Sequence, residues 1–374
     1  MIWVNDFGTL SKVPKWLEHA KLDEDYLGFS DVIFPLFLFI VGLSIPFAID
    51  HRIQKKESGL RIIKHILIRT LALLVIGVFM VNYETAHSKS MLISKSWWCF
   101  LMALGVVLIW MYWKKSPVPK KWHIVLQGLG ILILLFLAII YKGGSEGELW
   151  MTTQWWGILG LIGWAYGSNS LLYLLHKGNI AAGIFIWVLF FSLSIVMHLH
   201  NAPEIPEFLR YFSVVLNGTL PAFTAAGVMT TLLFRKLKKI KISIALLIIA
   251  LLGIFNLIFG IISRPLWGIS KIGETPSWLG ICTGIGMLLF LLLYYITDIK
   301  KHTDWAKLIA PAGTATLTCY MIPYFIYPLR EITGLRLPEI LNTAVIGLII
   351  SFIFALLVVI VTGWFEKKGF KLKL

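Results

Sequence analysis

Long apolar runs separated by short polar connections dominate the pattern of this 374-residue chain. A helix needs about 20 apolar residues to cross a hydrocarbon core of about 30 Å. The sequence predicts eleven such spans, at residues 29–49, 60–83, 97–113, 122–141, 154–175, 180–198, 213–234, 240–262, 278–298, 308–327 and 341–364. Runs such as residues 244–255 are apolar on every face, whereas strands of a membrane barrel alternate apolar and polar residues. The pattern therefore predicts an all-α, polytopic transmembrane helix bundle.

The composition supports a membrane protein and excludes two kinds of site. Hydrophobic residues make up 58% of the chain and charged residues 14%, whereas a soluble domain carries about 25% charged residues. The three cysteines, Cys99, Cys282 and Cys319, lie in apolar stretches without the spacing of a metal site or a disulfide framework. We expect no metal. No linker is long enough to divide the chain, so residues 1–374 are predicted to form a single integral membrane domain.

The basic residues are distributed unevenly among the connections. Of the 34 Lys and Arg, 22 fall in alternate connections, namely 50–64, 114–121, 176–179, 235–241, 299–307 and the tail after 364, and 11 fall in the others. Basic connections stay in the cytoplasm. We therefore expect an external segment at residues 1–28, helices over 29–364 and a cytoplasmic tail at 365–374. The net charge of +15 reflects this topology, so the predicted partner is membrane lipid and not nucleic acid.

The first 35 residues are the least hydrophobic part of the chain and hold the first candidates for chemistry. His19 can titrate near neutral pH and is expected outside, close to the apolar boundary, which suits a general base. An exposed loop histidine is more often solvated and idle, so both interpretations stay open. Ser30 and Asp31 begin a predicted helix, where Ser30 can cap backbone N–H groups and Asp31 can meet the positive end of the helix dipole.

A second candidate is the basic start of the span beginning near Leu60. Arg61, Lys64, His65 and Arg69 follow helical spacing and predict a basic face on the cytoplasmic half of that helix. Such a face can dock the phosphates of a charged cosubstrate. Snorkelling to anionic lipid headgroups explains Arg61 and Lys64 equally well. Arg69 lies deeper and is the better candidate for binding.

These residues carry a resemblance to a known family. The runs MIWVND, WLEHA and GFSDVIFPLFLFIVGLSI, continued by RTLALLVIGVFMVN, resemble the membrane acetyltransferases of the heparan-α-glucosaminide N-acetyltransferase family, especially bacterial members of the DUF5009 type. The resemblance is strongest over residues 1–83 and thinner at WWGILGLIGWAYG and LNGTLPAFTAAGV. It implies a bundle of about eleven helices that moves acetyl from cytosolic acetyl-CoA to an amino sugar or other glycan acceptor outside. Its bacterial members imply a location in a bacterial cytoplasmic membrane.

The same resemblance assigns roles to single residues. It places the catalytic histidine at His19 and an active-site asparagine at Asn5, with Asp31 and Arg69 in supporting positions. Together with the basic face, it predicts that Arg69, Lys64 and Arg61 bind acetyl-CoA as a cosubstrate. Relatives carry a further helix with a D-x-x-R-G-like stretch before the position of Met1, so we expect this chain to lack most of that helix.

Two other classes of function remain open at this point. A transporter or flippase for a sugar or a lipid-linked sugar would also have many spans, but its polar cluster should lie at the midplane on interrupted helices. A truncated, non-catalytic member of the family is the other alternative. The sequence leaves open the acceptor, the choice between N- and O-acetylation, an acyl-enzyme against direct transfer, and association into a homo-oligomer.

Overall fold

The structure is a computed structural model that describes residues 1–335 and 338–374. The helices are α1 (Ile2–Phe7), α2 (Phe29–Gln54), α3 (Gly59–Glu84), α4 (Lys95–Trp110), α5 (Lys120–Ile140), α6 (Gly157–His176), α7 (Ile180–Val196), α8 (Ser213–Leu216), α9 (Thr219–Lys238), α10 (Ile242–Ile262), α11 (Arg264–Trp267), α12 (Pro276–Tyr294), α13 (Ala310–Thr314), α14 (Thr316–Met321), α15 (Pro323–Ile332) and α16 (Ala344–Lys367). The described residues form isolated bridges but no β-strand. The all-α prediction is confirmed.

Eight helical stretches in the described part of the chain are long and apolar enough to cross a membrane. They are Phe29–Gln54, Gly59–Glu84, Lys120–Ile140, Gly157–His176, Glu207–Lys238, Ile242–Ile262, Pro276–Ile299 and Ala344–Lys367. The chain is therefore an integral membrane protein. Two further apolar helices, α4 and α7, have 16 and 17 residues, about 24–26 Å at 1.5 Å per residue. The predicted total of about eleven spans is not confirmed.

The span predicted at residues 308–327 differs most from the observed helices. This stretch is divided among α13, α14 and the start of α15, and Ala315 between the first two has a non-helical backbone at φ −127° and ψ 46°. Pro311 and Pro323 lie in the first turns of α13 and α15. Proline fits the first turn of a helix because the backbone N–H groups there have no intrahelical acceptor, so the missing N–H of proline costs no hydrogen bond. The hydropathy of residues 308–327 predicted helical, apolar structure there but not the break at Ala315.

The described chain forms two compact units, Met1–Val13 with Val75–Ile158 and Thr303–Leu374, and Pro14–Leu74 with Leu159–His302. The first is called unit one and the second unit two. In unit one, α1 packs against α16, and α4 packs against α5 and α15. The fully buried Trp98 donates its indole N–H to the Leu137 carbonyl at 3.1 Å and stacks on Phe79. The single domain predicted for residues 1–374 stays a prediction.

In unit two, α2 and α9 form an unusually close pair. A Cβ built on Gly42 of α2 would collide with the Thr224 carbonyl, and one on Gly227 of α9 would collide with the Phe39 carbonyl. Two glycines facing each other let the helix backbones touch, as small residues do at interfaces between membrane helices. Thr224 donates its hydroxyl to the Leu38 carbonyl at 3.2 Å across the same contact.

Packing in unit two continues from this pair. Helix α9 also contacts α7 and α10, and α10 packs against α12. A buried core joins α2, α3, α6 and α9; its residues are Ile45, Ile49, Ile62, Ile66, Tyr166, Tyr173, Val228 and Leu232. These contacts fix α2, whose first turn carries the candidate site.

Candidate functional site

The segment before α2 folds back over the first turn of that helix. Leu17 and Ala20 are buried, and the backbone N–H of Phe29 donates to the Trp16 carbonyl at 2.8 Å. The Ser30 hydroxyl donates to the Leu17 carbonyl at 2.5 Å. The N-cap of α2 is Gly28, so the predicted capping role of Ser30 is wrong. Ser30 instead holds the segment that leads to His19, because its hydroxyl points back across the helix terminus.

His19 and Asp31 form a hydrogen-bonded pair. The Nδ1 atom of His19 lies 2.7 Å from Asp31 Oδ1. The Asp31 side chain is 0% exposed, whereas that of His19 is 44% exposed. An ionised carboxylate can only accept, so the bond requires His19 to carry its proton on Nδ1. Nε2 of the neutral ring is then a base with an accessible lone pair, and it bonds to no residue in 1–335 or 338–374.

The second oxygen of Asp31 binds the chain on both sides of the loop. Oδ2 accepts the backbone N–H of Ala20 at 3.0 Å and that of Gly28 at 3.1 Å. Trp278 of α12 donates its indole N–H to the Asp31 carbonyl at 3.1 Å. Asp31 occupies the first turn of α2, where the helix dipole favours a negative charge, as the sequence predicted. Its carboxylate therefore orients His19 and caps the helix at once.

A second loop, residues 268–275 before α12, completes this site. Asp25 holds the two loops together: it accepts from Arg264 Nε at 2.8 Å and from the Ile269 backbone N–H at 2.6 Å. The hydrogen bond from Arg264 lowers the pKa of Asp25. Lys271, in the middle of the second loop, brings its Nζ atom to 3.2 Å from His19 Nδ1. Burial lowers the pKa of Lys271, and the nearby Asp31 carboxylate opposes that shift.

Glu274 ends the same loop in an apolar setting. Burial raises the pKa of its carboxyl to about 7, and Oε2 has no hydrogen-bond partner in the described part of the chain. The backbone carbonyl of Glu274 accepts the Thr219 hydroxyl at 3.0 Å. His198 lies beside this loop, with Nδ1 2.7 Å from the Ser194 carbonyl oxygen and Nε2 2.9 Å from that of Gly273.

Asn5, the other predicted catalytic residue, belongs to unit one. It lies in α1, is exposed, and its side chain reaches the hydroxyl of Tyr320. The next residue, Asp6, accepts a hydrogen bond from the Tyr327 hydroxyl at 2.7 Å. His19 and Asp31 belong to unit two, so the structure brings these two predicted residues together and describes Asn5 within the other unit.

The predicted basic face of α3 contains two different environments. Arg61 and Lys64 are exposed, whereas Arg69 is partly buried with its guanidinium 4.6 Å from the centre of the Tyr166 ring. This is a cation–π contact with a buried aromatic residue. Arg69 Nε has no hydrogen-bond partner among the described residues, and neither do the buried hydroxyls of Thr70 and Ser170. Arg69 thus contacts the helix bundle through Tyr166. Of the two hydroxyls, Thr70 is the next residue on α3 and Ser170 lies on α6.

A charged cluster at the other end of α2 was not predicted. Asp50 accepts from Arg235 Nη1 at 2.6 Å and from the Tyr173 hydroxyl at 2.8 Å. In the sequence, Arg235 counted only as one of the basic residues of a cytoplasmic connection. A carboxylate one residue from the end of a predicted span was the signal available, but its partners come from α6 and α9, which no spacing in the sequence reveals.

Lys271 is the other functional candidate that sequence reasoning missed. Its connection contributed two basic residues, Arg264 and Lys271, to the external set. The contact with His19 joins residues 252 positions apart, so no local pattern marks it.

Within the described residues, no group of three or more His, Cys, Asp or Glu side chains could hold a metal ion. No protein-family model matches the sequence, and no curated protein matches it. The geometry of the site therefore supports a function on its own chemistry, together with the resemblance of the sequence runs.

Proposed function

We propose that this chain transfers an acetyl group from cytosolic acetyl-CoA to an amino sugar or other glycan acceptor on the external side of the membrane. The observation that carries the proposal is the pair of His19 and Asp31, with a bond of 2.7 Å to a fully buried carboxylate. A buried carboxylate that fixes the tautomer of an accessible imidazole is the arrangement of a general base in acyl transfer. An idle surface histidine has no need of it.

The chemistry follows from the free nitrogen of His19. Nε2 removes a proton from the acceptor amine or hydroxyl as that group attacks the thioester carbonyl, and the C–S bond breaks to release the CoA thiolate. The imidazolium then returns the proton to the thiolate. In the alternative sequence, Nε2 attacks the thioester itself and the C–S bond breaks to release the CoA thiolate. The acceptor then attacks the acyl-imidazole, the bond from the acetyl carbon to Nε2 breaks, and the acceptor's proton goes to the thiolate. Both sequences need Asp31 in its observed place.

The resemblance adds a role for Asn5 to the proposal, as the donor of a hydrogen bond to a carbonyl oxygen that becomes negative. The proposal also includes the eleven spans and the external position of residues 1–28.

The donor side of the proposal places acetyl-CoA phosphates on the basic cytoplasmic surface. Arg61 and Lys64 are exposed and suit loose phosphate contact, whereas Arg69 is partly buried above Tyr166. Arg69, Thr70 and Ser170 have hydrogen-bonding groups without a partner in the described ranges, and these groups would suit the amides of a pantetheine arm. Binding energy from the remote nucleotide would position the reacting carbon.

These same partnerless polar groups favour the transporter alternative, because a transported sugar needs hydrogen bonds within the bundle. Acetyl-CoA separates the two functions. Thermal stabilisation of the purified protein by acetyl-CoA, but not by free sugars, supports the transferase, since a transporter has no reason to bind a thioester donor. Stabilisation by sugars alone supports the transporter.

The direct test is the variant His19→Ala, assayed in proteoliposomes with labelled acetyl-CoA on one side and a glucosamine-type acceptor on the other. Loss of a general base lowers the rate by about 10²-fold or more, while binding of acetyl-CoA should stay close to that of the unmodified protein. His200→Ala is the matched control, because His200 is an exposed histidine in another predicted external connection. Equal transfer by both variants refutes the role of His19.

A further inference from the structure

Two charged side chains, Asp31 and Lys271, contact the same ring nitrogen of His19. The pair of His19 Nδ1 and Asp31 Oδ1 is 2.7 Å apart, and Lys271 Nζ lies 3.2 Å from the same nitrogen. Nδ1 cannot donate its proton to Asp31 and accept one from Lys271 together. Because the first bond is the shorter, the Lys271 ammonium lies beside a ring N–H.

A fully buried carboxylate needs compensation for its charge. If His19 alone supplied it, Asp31 would hold the ring as an imidazolium, since an opposite charge within about 4–6 Å favours the charged form. An imidazolium has no lone pair and cannot act as a base. A lysine at this position changes that balance, because its own positive charge both compensates Asp31 and repels a second proton on the ring.

We propose that Lys271 is a positioning residue that compensates the buried charge of Asp31 and so keeps His19 uncharged and able to accept a proton. This inference rests on the proposed function for its biological meaning, but the protonation of His19 can be measured without any activity. Burial lowers the pKa of Lys271 and the nearby Asp31 carboxylate opposes that shift, so the two side chains interact electrostatically.

Other charged groups on the elements around His19 are engaged elsewhere or lie in solvent. Asp25 pairs with Arg264 of α11 at 2.8 Å, and Lys15 pairs with Glu24 at 3.1 Å. The exposed charged neighbours on the segment of His19 itself are Glu18, Lys21 and Asp23. Glu274 lies on the loop of Lys271, and its raised pKa of about 7 leaves it largely uncharged in mildly acidic solution. His198 lies beside the same loop, 2.9 Å from the Gly273 carbonyl. Among the described residues, Asp31 and Lys271 are therefore the two charged side chains in direct contact with His19.

The experiment follows the reaction of His19 with diethyl pyrocarbonate, which modifies the uncharged form of the imidazole, as a function of pH. Cleavage after Glu18 and Glu24 releases residues 19–24, which contain one histidine and Lys21. Fragmentation of this peptide in the mass spectrometer separates modification of His19 from modification of the Lys21 amine. Lys271→Met and Lys271→Gln should each raise the midpoint of this titration by about one pH unit or more. Lys271→Arg should keep it near the value of the unmodified protein.

The matched control is Lys21→Met, which removes an exposed positive charge two residues from His19 and should leave the midpoint nearly unchanged. Using both Met and Gln at position 271 protects the test against a variant that fails to fold. An unchanged midpoint in the folded Met or Gln variant overturns the inference, and so does an equal shift in the Lys21 control. A shifted midpoint in a protein that never transfers acetyl leaves this inference standing and refutes the proposed function instead.

Discussion

Asp31 and Asp50 lie on the same helix, α2, and each anchors a charged cluster at one end of it. They are nineteen positions apart in the sequence, which corresponds to about 28 Å along a helix and matches a hydrocarbon core of about 30 Å. Asp31 pairs with His19, and Asp50 pairs with Arg235 and Tyr173. One span therefore carries a polar site at each of its two ends.

The topology prediction can be tested within unit two. Lys21 precedes α2 and Lys56 follows it, and both are exposed. The distribution of basic residues predicts Lys21 outside and Lys56 in the cytoplasm. We expect Lys21→Cys to react with an impermeant maleimide in intact cells and Lys56→Cys to react only after permeabilisation. The native cysteines Cys99, Cys282 and Cys319 are buried and give a low background. Labelling of both positions from one side would contradict the topology.

Asp31→Asn should lower acetyl transfer by about 10²-fold or more. An asparagine amide can donate to Nδ1, which moves the ring proton to Nε2 and removes the base. The measurement is transfer per folded protein, with the unfolding temperature recorded beside it, because Asp31 also caps α2 through Gly28. Asp23→Asn is the control, since Asp23 is exposed on the same segment. Full activity in folded Asp31→Asn would leave the carboxylate with a structural role alone.

Arg69→Ala should weaken acetyl-CoA binding by roughly tenfold or more, because a hydrogen bond to a charged group contributes about 1.5–3 kcal/mol. Titration calorimetry measures the affinity at low and high salt. Arg61→Ala is the matched control: Arg61 is exposed, so its contribution should be small and easily screened by salt. If both variants bind acetyl-CoA as tightly as the unmodified protein does, Arg69 serves the contact with Tyr166 or lipid, and the donor site lies elsewhere.

Glu274 should make stability depend on pH. Burial raises its pKa from 4.5 to about 7 in the folded protein. A raised folded pKa means that the stabilisation is complete below the unfolded value and is lost as pH rises through about 7. The loss is on the order of 3 kcal/mol. We expect the unfolding temperature in detergent to fall between pH 4.5 and 7.5 more steeply in the unmodified protein than in Glu274→Gln. Parallel curves would show that Glu274 is charged or solvated.

Much of the architecture could be predicted from the sequence, because apolar runs of this length have few stable alternatives in a membrane. The span at residues 29–49 corresponds to Phe29–Gln54, and that at 122–141 to Lys120–Ile140. The break at Ala315 was missed, since hydropathy does not register a change of backbone angle. The count of spans depends on such breaks and on the short helices.

The sequence identified single residues of the site, but not the contacts that bring them together. His19 and Asp31 each had a physical reason to be chosen, yet one was assigned to chemistry and the other mainly to capping. Their contact depends on the path of residues 20–28, which is fixed by Asp25 and the loop before α12. Lys271 comes from that distant loop and has no local signature. Long-range loop packing therefore decides the chemistry, and sequence patterns carry little of that information.

The glycine contact between α2 and α9 limits the mechanics of unit two. Because any side chain at Gly42 or Gly227 would strike the opposing backbone, the two helices have no room to slide or rotate past each other at that point. Helix α2 and helix α9 are therefore packed backbone to backbone there, and the Arg235–Asp50 pair joins them again at the end of α2. The close contact leaves no passage between these two helices at Gly42 and Gly227. A path for a molecule between the two ends of α2 has to run along the other faces of the pair.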